Sequence, residues 1–214
     1  MLKNFSGKIR GAIFDADGAL LNSMHIWHEL GARYLKSLGL VPEKNLAAVL
    51  YPMSLEQSSA YLQKNYSIKN SVQEIRAGIL KIIEDFYFHE VELKPGVKNF
   101  LEALNEKNIP MVIATSGDRE LLNAALERNE IKKFFSGVFT CSELGTDKRD
   151  SKIFLICSEF LNLLPEVTAV FEDSFYAIAT AKAAGFITFG VEDESNLNDR
   201  EKISGLADFY IKSF

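Results

Sequence analysis

The chain has 214 residues, 47% of them hydrophobic and 25% charged, with a formal net charge of −5. That is enough for one good core and too little for several large domains. The acidic balance argues against nucleic acid or an anionic membrane as the main partner, but an anionic small molecule stays open because one local cation can dominate a site. Two cysteines, Cys141 and Cys157, are too few for a disulfide framework and read as small buried hydrophobes in a reducing compartment.

The N-terminal stretch "MLKNFSGKIRGAIFD" is broken by Lys3, Ser6, Lys8 and Arg10 and lacks the apolar region of a signal peptide. No apolar run approaches the ~18 residues that span a bilayer. The expectation is a soluble cytoplasmic protein, a monomer, with no membrane or nucleic-acid partner.

In chain order, "AIF" before Asp15 is the first predicted strand. From about Leu20 to Glu90 no strand is predicted. Instead "HIWHELGARYLKSLG", "SLEQSSAYLQKNY" and "SVQEIRAGILKIIEDFYFHEV" carry helical spacing and are separated by turn signals at Gly39, Pro42, Pro52 and "KNYSIKN". "LKPG" (Leu93 to Gly96) marks the return, with proline and glycine opening a helix over Gly96 to Asn108. Strands are then predicted at Met111–Thr115, Gly137–Cys141, Val167–Glu172 and Phe186–Val191, with Asp208–Ile211 as an edge candidate. Helices are predicted at Arg119–Asn129, Lys152–Leu163 and Tyr176–Ala184. These strands are apolar on both alternations, as parallel strands covered on both faces are. The pattern predicts an α/β fold: a doubly wound, mostly parallel Rossmann-like core over residues 1–19 and 94–214, with an inserted all-α cap of about four helices over residues 20–93.

Chemistry collects at the ends of the strands, where open α/β sheets bind ligands. Asp15 and Asp17 follow the first strand at i, i+2. If that strand stays extended, both carboxylates reach one spot. Thr115, Ser116 and Gly117 follow the second, and hydroxyls and free N–H groups opening onto a helix suit a phosphate or a plain helix cap. Lys148, Arg149 and Lys152 follow the third, either to neutralise a phosphate or as a solvated cluster. Glu172 and Asp173 follow the fourth. Hard oxygen ligands in this number suit Mg²⁺, and a cation explains how the carboxylates tolerate one another. One aspartate can then attack phosphorus while the other handles the proton of the leaving oxygen.

"FDADGALLNS", "VIATS", Lys148 and "FEDS" resemble, in order and spacing, the four motifs of the haloacid dehalogenase-like superfamily, and "AKAAGF" is similar to the run before its fifth strand. The insert resembles the C1-type cap of its phosphatase and β-phosphoglucomutase branch. The resemblance implies Asp15 as nucleophile and Asp17 as acid/base. It implies Mg²⁺ held by Asp15, the backbone carbonyl of Asp17 and Asp173, with Glu172 in or near the shell. Thr115 and Lys148 would grip the phosphoryl group, and Ser116 lies beside them. Two departures stand out. Ala19 replaces the usual Thr or Val, and "KRDSKIF" replaces "KPxPDIF". Counting back from Phe154 selects Lys148, with Lys152 as the fallback.

Within the superfamily, Asp17 argues against haloacid dehalogenases and phosphonatases, which lack an aspartate there. β-Phosphoglucomutases typically carry a histidine twelve residues after the nucleophile, where this chain has Trp27 flanked by His25 and His28. That pair otherwise reads as a surface pair on an amphipathic helix. The expectation is therefore a Mg²⁺-dependent phosphatase acting on a small phosphorylated metabolite such as a sugar phosphate, with the mutase as rival. Receiver domains lack the helical insert, and a non-catalytic relative would not need every motif residue. Trp27 and Tyr34 are expected to pack the cap or roof the cleft, the cap to close over the core and set specificity, and the charged segment Val191–Lys202 to be a solvated loop and exposed helix.

Overall fold

The computed structural model describes residues 8–214. The expected domain start at residue 1, and Lys3 and Ser6 of the leader reading, lie outside the described residues. The remaining chain divides into two compact units: a sheet unit, up to Ser23 and again Val91–Phe214, and a helical unit, Met24–Glu90.

The sheet unit holds six parallel strands: β1 (Gly11–Phe14), β2 (Met111–Thr115), β3 (Phe135–Thr140), β4 (Thr168–Glu172), β5 (Ile187–Val191) and β6 (Phe209–Ile211). Their order is β3-β2-β1-β4-β5-β6. β1 is thus central, and the order reverses beside it, which is where a doubly wound sheet opens its ligand crevice. Every residue of β1, β2 and β4 is buried, as expected of strands covered on both faces. One face packs Ile13, Val112 and Val170 against Phe154, Cys157 and Ala177. The other carries a ladder of phenylalanines in register. Phe14, Phe171 and Phe189 stack at 4.4 and 4.5 Å between ring centres, and Phe209 continues the row at 4.8 Å. Such pairs add about 0.5–1.5 kcal/mol each beyond the area they bury.

The helical unit contains α1 (Ile26–Ser37), α2 (Leu46–Leu50), α3 (Leu55–Asn65) and α4 (Val72–Asp85), then a π-helical turn over Phe86–Glu90. Both α3 and α4 begin with a full capping box, Ser54 with Gln57 and Ser71 with Glu74. Its own core gathers Leu35, Leu46, Leu62, Ile75 and Ile79. Tyr34 packs here against Gly78, where a β-carbon would sit 2.5 Å from the ring. Trp27 is half exposed.

The sheet unit's helices are α5 (Val97–Glu106), α6 (Arg119–Arg128), α7 (Cys141–Leu144), α8 (Lys152–Phe160), α9 (Phe175–Ala183) and α10 (Arg200–Leu206). Gly96 caps α5 at φ 85°, in the left-handed region. Several expectations need correction. Cys141 opens α7 instead of ending β3, because the Thr140 side chain accepts from Glu143 N–H and caps a new helix. α8 stops at Phe160, short of Leu163, where Asn162 at φ 53° turns the chain. β1 ends at Phe14, so it does not run extended to Asp17. Residues 20–23 and 91–93 travel with the sheet: Asn22 N–H donates to Glu92 O and Lys94 N–H to Leu20 O, both at 2.9 Å, around a Leu21–Leu93 antiparallel bridge.

Candidate active site

Asp15 continues the β1 ladder by one bond, its N–H donating to Phe171 O at 2.9 Å. The chain then turns sharply. Leu20 and Leu21 N–H both donate to Ala16 O, and Gly18 takes φ 82°, which explains a glycine immediately after the acidic pair. Asp15 is buried and Asp17 half-buried. Asp17 Oδ1 accepts from the Ser23 hydroxyl at 2.7 Å. A β-carbon placed on Gly117 would meet Asp17 Oδ2 at 3.0 Å and Thr115 Oγ1 at 3.2 Å. The loops after β1 and β2 therefore meet at Gly117, where any side chain would press on both polar groups and shift them by a few tenths of an ångström.

At the end of β2, Thr115 is buried and its hydroxyl accepts from Gly117 N–H at 2.9 Å. Ser116 is exposed, with its hydroxyl 3.5 Å from Cys141 Sγ. The cap of α6 is Asp118, which accepts from Glu120 and Leu121 N–H, so Thr115 and Ser116 are not spent on capping.

The two lysines part company. Lys148 is buried and donates to Asp15 Oδ1 and, at 2.6 Å, to Glu172 Oε1. Lys152 is exposed and donates to Leu144 O at 2.8 Å. Arg149, also exposed, stacks its guanidinium over Tyr176 at 4.6 Å. Beyond β4, Glu172 Oε2 accepts from Ser174 N–H and hydroxyl, both at 2.9 Å. Asp173 Oδ2 accepts from the Asn196 amide at 2.6 Å.

Asn196 is a residue that sequence reasoning missed. It lies in the segment expected to be a solvated loop, and that expectation is corrected: Asp193 in the same segment is buried and pairs with Lys94 at 2.8 Å. No sequence signal marked it, because a turn that donates one amide to a carboxylate is composed like any polar turn.

Burial sets the protonation of this cluster. It pushes the Asp15 carboxyl up to about 7, against the pull of Lys148 and with the push of Glu172 and Asp17. Asp173 is raised well above the carboxylate range, first by burial and then by the charges of Glu172 and Asp15. Glu172 is buried too, but Lys148 and the Ser174 donors outweigh burial and hold it below its ordinary value. Burial works against the Lys148 charge as well, yet the two carboxylates raise its pKa above the ordinary lysine value. Burial lifts the Cys157 thiol to about 12, which makes it inert.

Oxygen atoms of Asp15, Glu172 and Asp173 lie within 4.8 Å of one another. Of three buried carboxylates only Asp15 and Glu172 touch the Lys148 ammonium, and Asp15 and Asp173 are pushed towards protonation. A compact divalent cation with a taste for hard oxygen ligands fits this donor set, because it supplies the missing positive charge where the carboxylates converge. The side chain of Asp17 stands outside that cluster.

A family description, haloacid dehalogenase-like hydrolase, matches residues 12–191. The sheet, the strand-end carboxylates and this match define the class: the chain belongs to the haloacid dehalogenase-like hydrolases. Among individual relatives, it is 27% identical over 177 residues to the phosphorylated carbohydrates phosphatase of Thermotoga maritima, covering 83% of this chain and 82% of that one. A Thermotoga maritima crystal structure, provisionally described as a β-phosphoglucomutase, superposes with a TM-score of 0.84 at 26% identity, covering 95% and 94% of the two chains. YfnB of Bacillus subtilis, solved bound to magnesium, shares the fold with a TM-score of 0.74 at 17% identity over 97% and 96%. Among the described residues, no helix is long and apolar enough to cross a membrane.

Proposed function

We propose that this hydrolase is a Mg²⁺-dependent phosphatase that removes phosphate from a small phosphorylated metabolite, a sugar phosphate, through an aspartyl-phosphate on Asp15. The observation that carries the reading is the buried contact of Lys148 with both Asp15 and Glu172 beside Asp173. It supports an arrangement in which Lys148 orients Asp15 and keeps Glu172 anionic next to a site for further positive charge. The phosphatase from Thermotoga maritima supports the substrate class, and the magnesium of YfnB supports the metal.

In this reading Asp15, Asp173 and the backbone carbonyl of Asp17 would hold the metal, with Glu172, whose oxygens accept from Lys148 and Ser174, in or near its shell. The bound ion supplies the charge that lets a phosphate dianion approach a carboxylate. Asp15 attacks phosphorus through one oxygen. Lys148 steadies the charge on the nucleophile before attack and on the phosphoryl oxygens during transfer. Thr115, with Ser116 next to it, offers hydroxyl donation to the phosphoryl group. Asp17 protonates the departing alcohol and then takes a proton from the water that cleaves the acyl phosphate, returning Asp15. The buried Ser23 hydroxyl fixes which way the Asp17 carboxyl turns.

The β-phosphoglucomutase resemblance keeps one rival alive. Against it, the position twelve after Asp15 is Trp27, and the flanking His25 and His28 are exposed and lie against Phe86 and Tyr51, His28 stacked on its tyrosine. A panel of sugar phosphates, assayed for free phosphate and for isomerised ester, separates the two. We expect phosphate release that stops with EDTA, returns with Mg²⁺ and is absent in Asp15→Asn. Isomerised ester without free phosphate would establish the mutase, and full turnover in excess EDTA would remove the metal from the mechanism.

A further inference from the structure

Lys94 sits where the chain re-enters the sheet unit, and its ammonium is fully engaged. It donates to Gly18 O at 2.7 Å, Glu192 O at 2.5 Å and Asp193 Oδ2 at 2.8 Å. The Lys94 and Asp193 side chains are 14% and 5% exposed, so this is an interior ion pair and not a surface one. Asp193 Oδ1 accepts from Ser195 N–H at 2.9 Å and from its hydroxyl at 2.7 Å, and Asp193 O accepts from Asn196 N–H at 3.1 Å. That tight turn aims the Asn196 amide at Asp173 Oδ2. The contacts form one unbroken line from Lys94 through Asp193 and Asn196 to a carboxylate of the metal cluster. Through Gly18 O, the same ammonium also ties down the turn that carries Asp17.

We propose that Asn196 is a positioning residue for Asp173, and that Lys94, acting through Asp193, holds Asn196 in place. The inference rests on reading Asp15, Glu172 and Asp173 as a metal site. The chemistry of the donor separates this contact from the one that serves the other two carboxylates. Lys148 gives Asp15 and Glu172 a charge. Asn196 gives Asp173 a neutral N–H, which fixes the plane of the carboxylate and occupies one oxygen without cancelling the negative charge that a cation needs. The other oxygen is left as the ligand. A lysine in its place would compete with the metal, and an apolar residue would let the carboxylate turn.

The test is titration of Mn²⁺ into the full chain by calorimetry, without substrate, alongside thermal melts of the metal-free protein. Asn196→Ala should weaken Mn²⁺ binding about tenfold to a hundredfold, with little change in the melt because the residue is only half-buried. Lys94→Met should weaken binding in the same direction. Because Lys94 also holds the Gly18 turn, the pairing that tests the path is Asp193→Asn with Asn196→Ala, which should bind no worse than Asn196→Ala alone. Asp193→Asn, which keeps the Ser195 contacts and drops the charge, gives the same reading by a milder cut if Lys94→Met fails to fold. Wild-type affinity in Asn196→Ala would overturn the proposal, and so would losses that simply add. A wild-type protein that binds no divalent cation overturns it too. One that binds Mn²⁺ but hydrolyses no phosphate ester overturns the proposed function and leaves this inference standing.

Discussion

Lys148 and Lys152 show how far a single residue could be read from the chain. Counting back from Phe154 pointed to Lys148, and the structure buries it against Asp15 and Glu172 while Lys152 faces outward to Leu144 O. Lys148→Ala should cost about a hundredfold in kcat/KM, or ~3 kcal/mol of barrier, and Lys152→Ala should stay within about twofold. Phosphate release from one sugar phosphate measures both, and the reverse ranking would reassign the lysine. Asp17 was less legible. Spacing sets it beside Asp15 only on the condition that β1 stays extended, whereas the Gly18 turn carries it to Ser23 and Gly117. Asn196 was not legible at all, because amide geometry leaves no trace in composition. Asp193, beside it, makes a prediction with a definite sign. Burial favours its neutral form, but Lys94 and Ser195 outweigh this and hold its pKa below the ordinary 3.8. Its carboxylate therefore adds stability that is complete above that ordinary value and is lost as the pH falls through the lower, folded value. Denaturant titrations of wild type and Asp193→Asn should show a gap that is constant near neutrality and narrows only below about pH 4.

At the scale of elements, the strands were the most readable part, since both faces of each are covered and apolar runs need no periodicity to announce themselves. The ends of elements were less readable because they are decided by local contacts. Thr140 caps α7 and so ends β3 one residue before Cys141. The phenylalanine ladder was invisible to any reading of one strand at a time, because register exists only between strands. It also links packing to the site: Phe14 precedes Asp15 and Phe171 precedes Glu172, so the stacked pair sets the height at which the two carboxylates emerge. Phe171→Ala removes the middle rung, a fully buried ring stacked on two neighbours. It should destabilise the protein by about 3–5 kcal/mol, read as a lowered denaturation midpoint. Phe171→Leu should cost less, because it refills most of the cavity but not the stacking.

For the whole molecule, the interruption of the strand–helix rhythm after β1 was enough to expect a helical block, because some 70 residues without a strand signal stand out in an α/β chain. The helical unit Met24–Glu90 is one continuous piece of chain with its own core and its own capping boxes. A fragment of residues 24–90 should therefore be helical by circular dichroism and melt cooperatively, though with little stability, as units of this size have. A non-cooperative melt would mean that the unit depends on the rest of the chain. The sheet unit has the opposite character. β1 lies between β2 and β4, and β4 is not made until Glu172 leaves the ribosome. At roughly 5–20 residues per second, the first strand waits about 8–30 s for its second partner. During that wait an apolar segment with an unmatched edge is open to pairing with another nascent chain. Asp15 and Asp17, immediately after it, set two negative charges against that association. The carboxylates that later serve the finished site thus also guard the strand while it is being made.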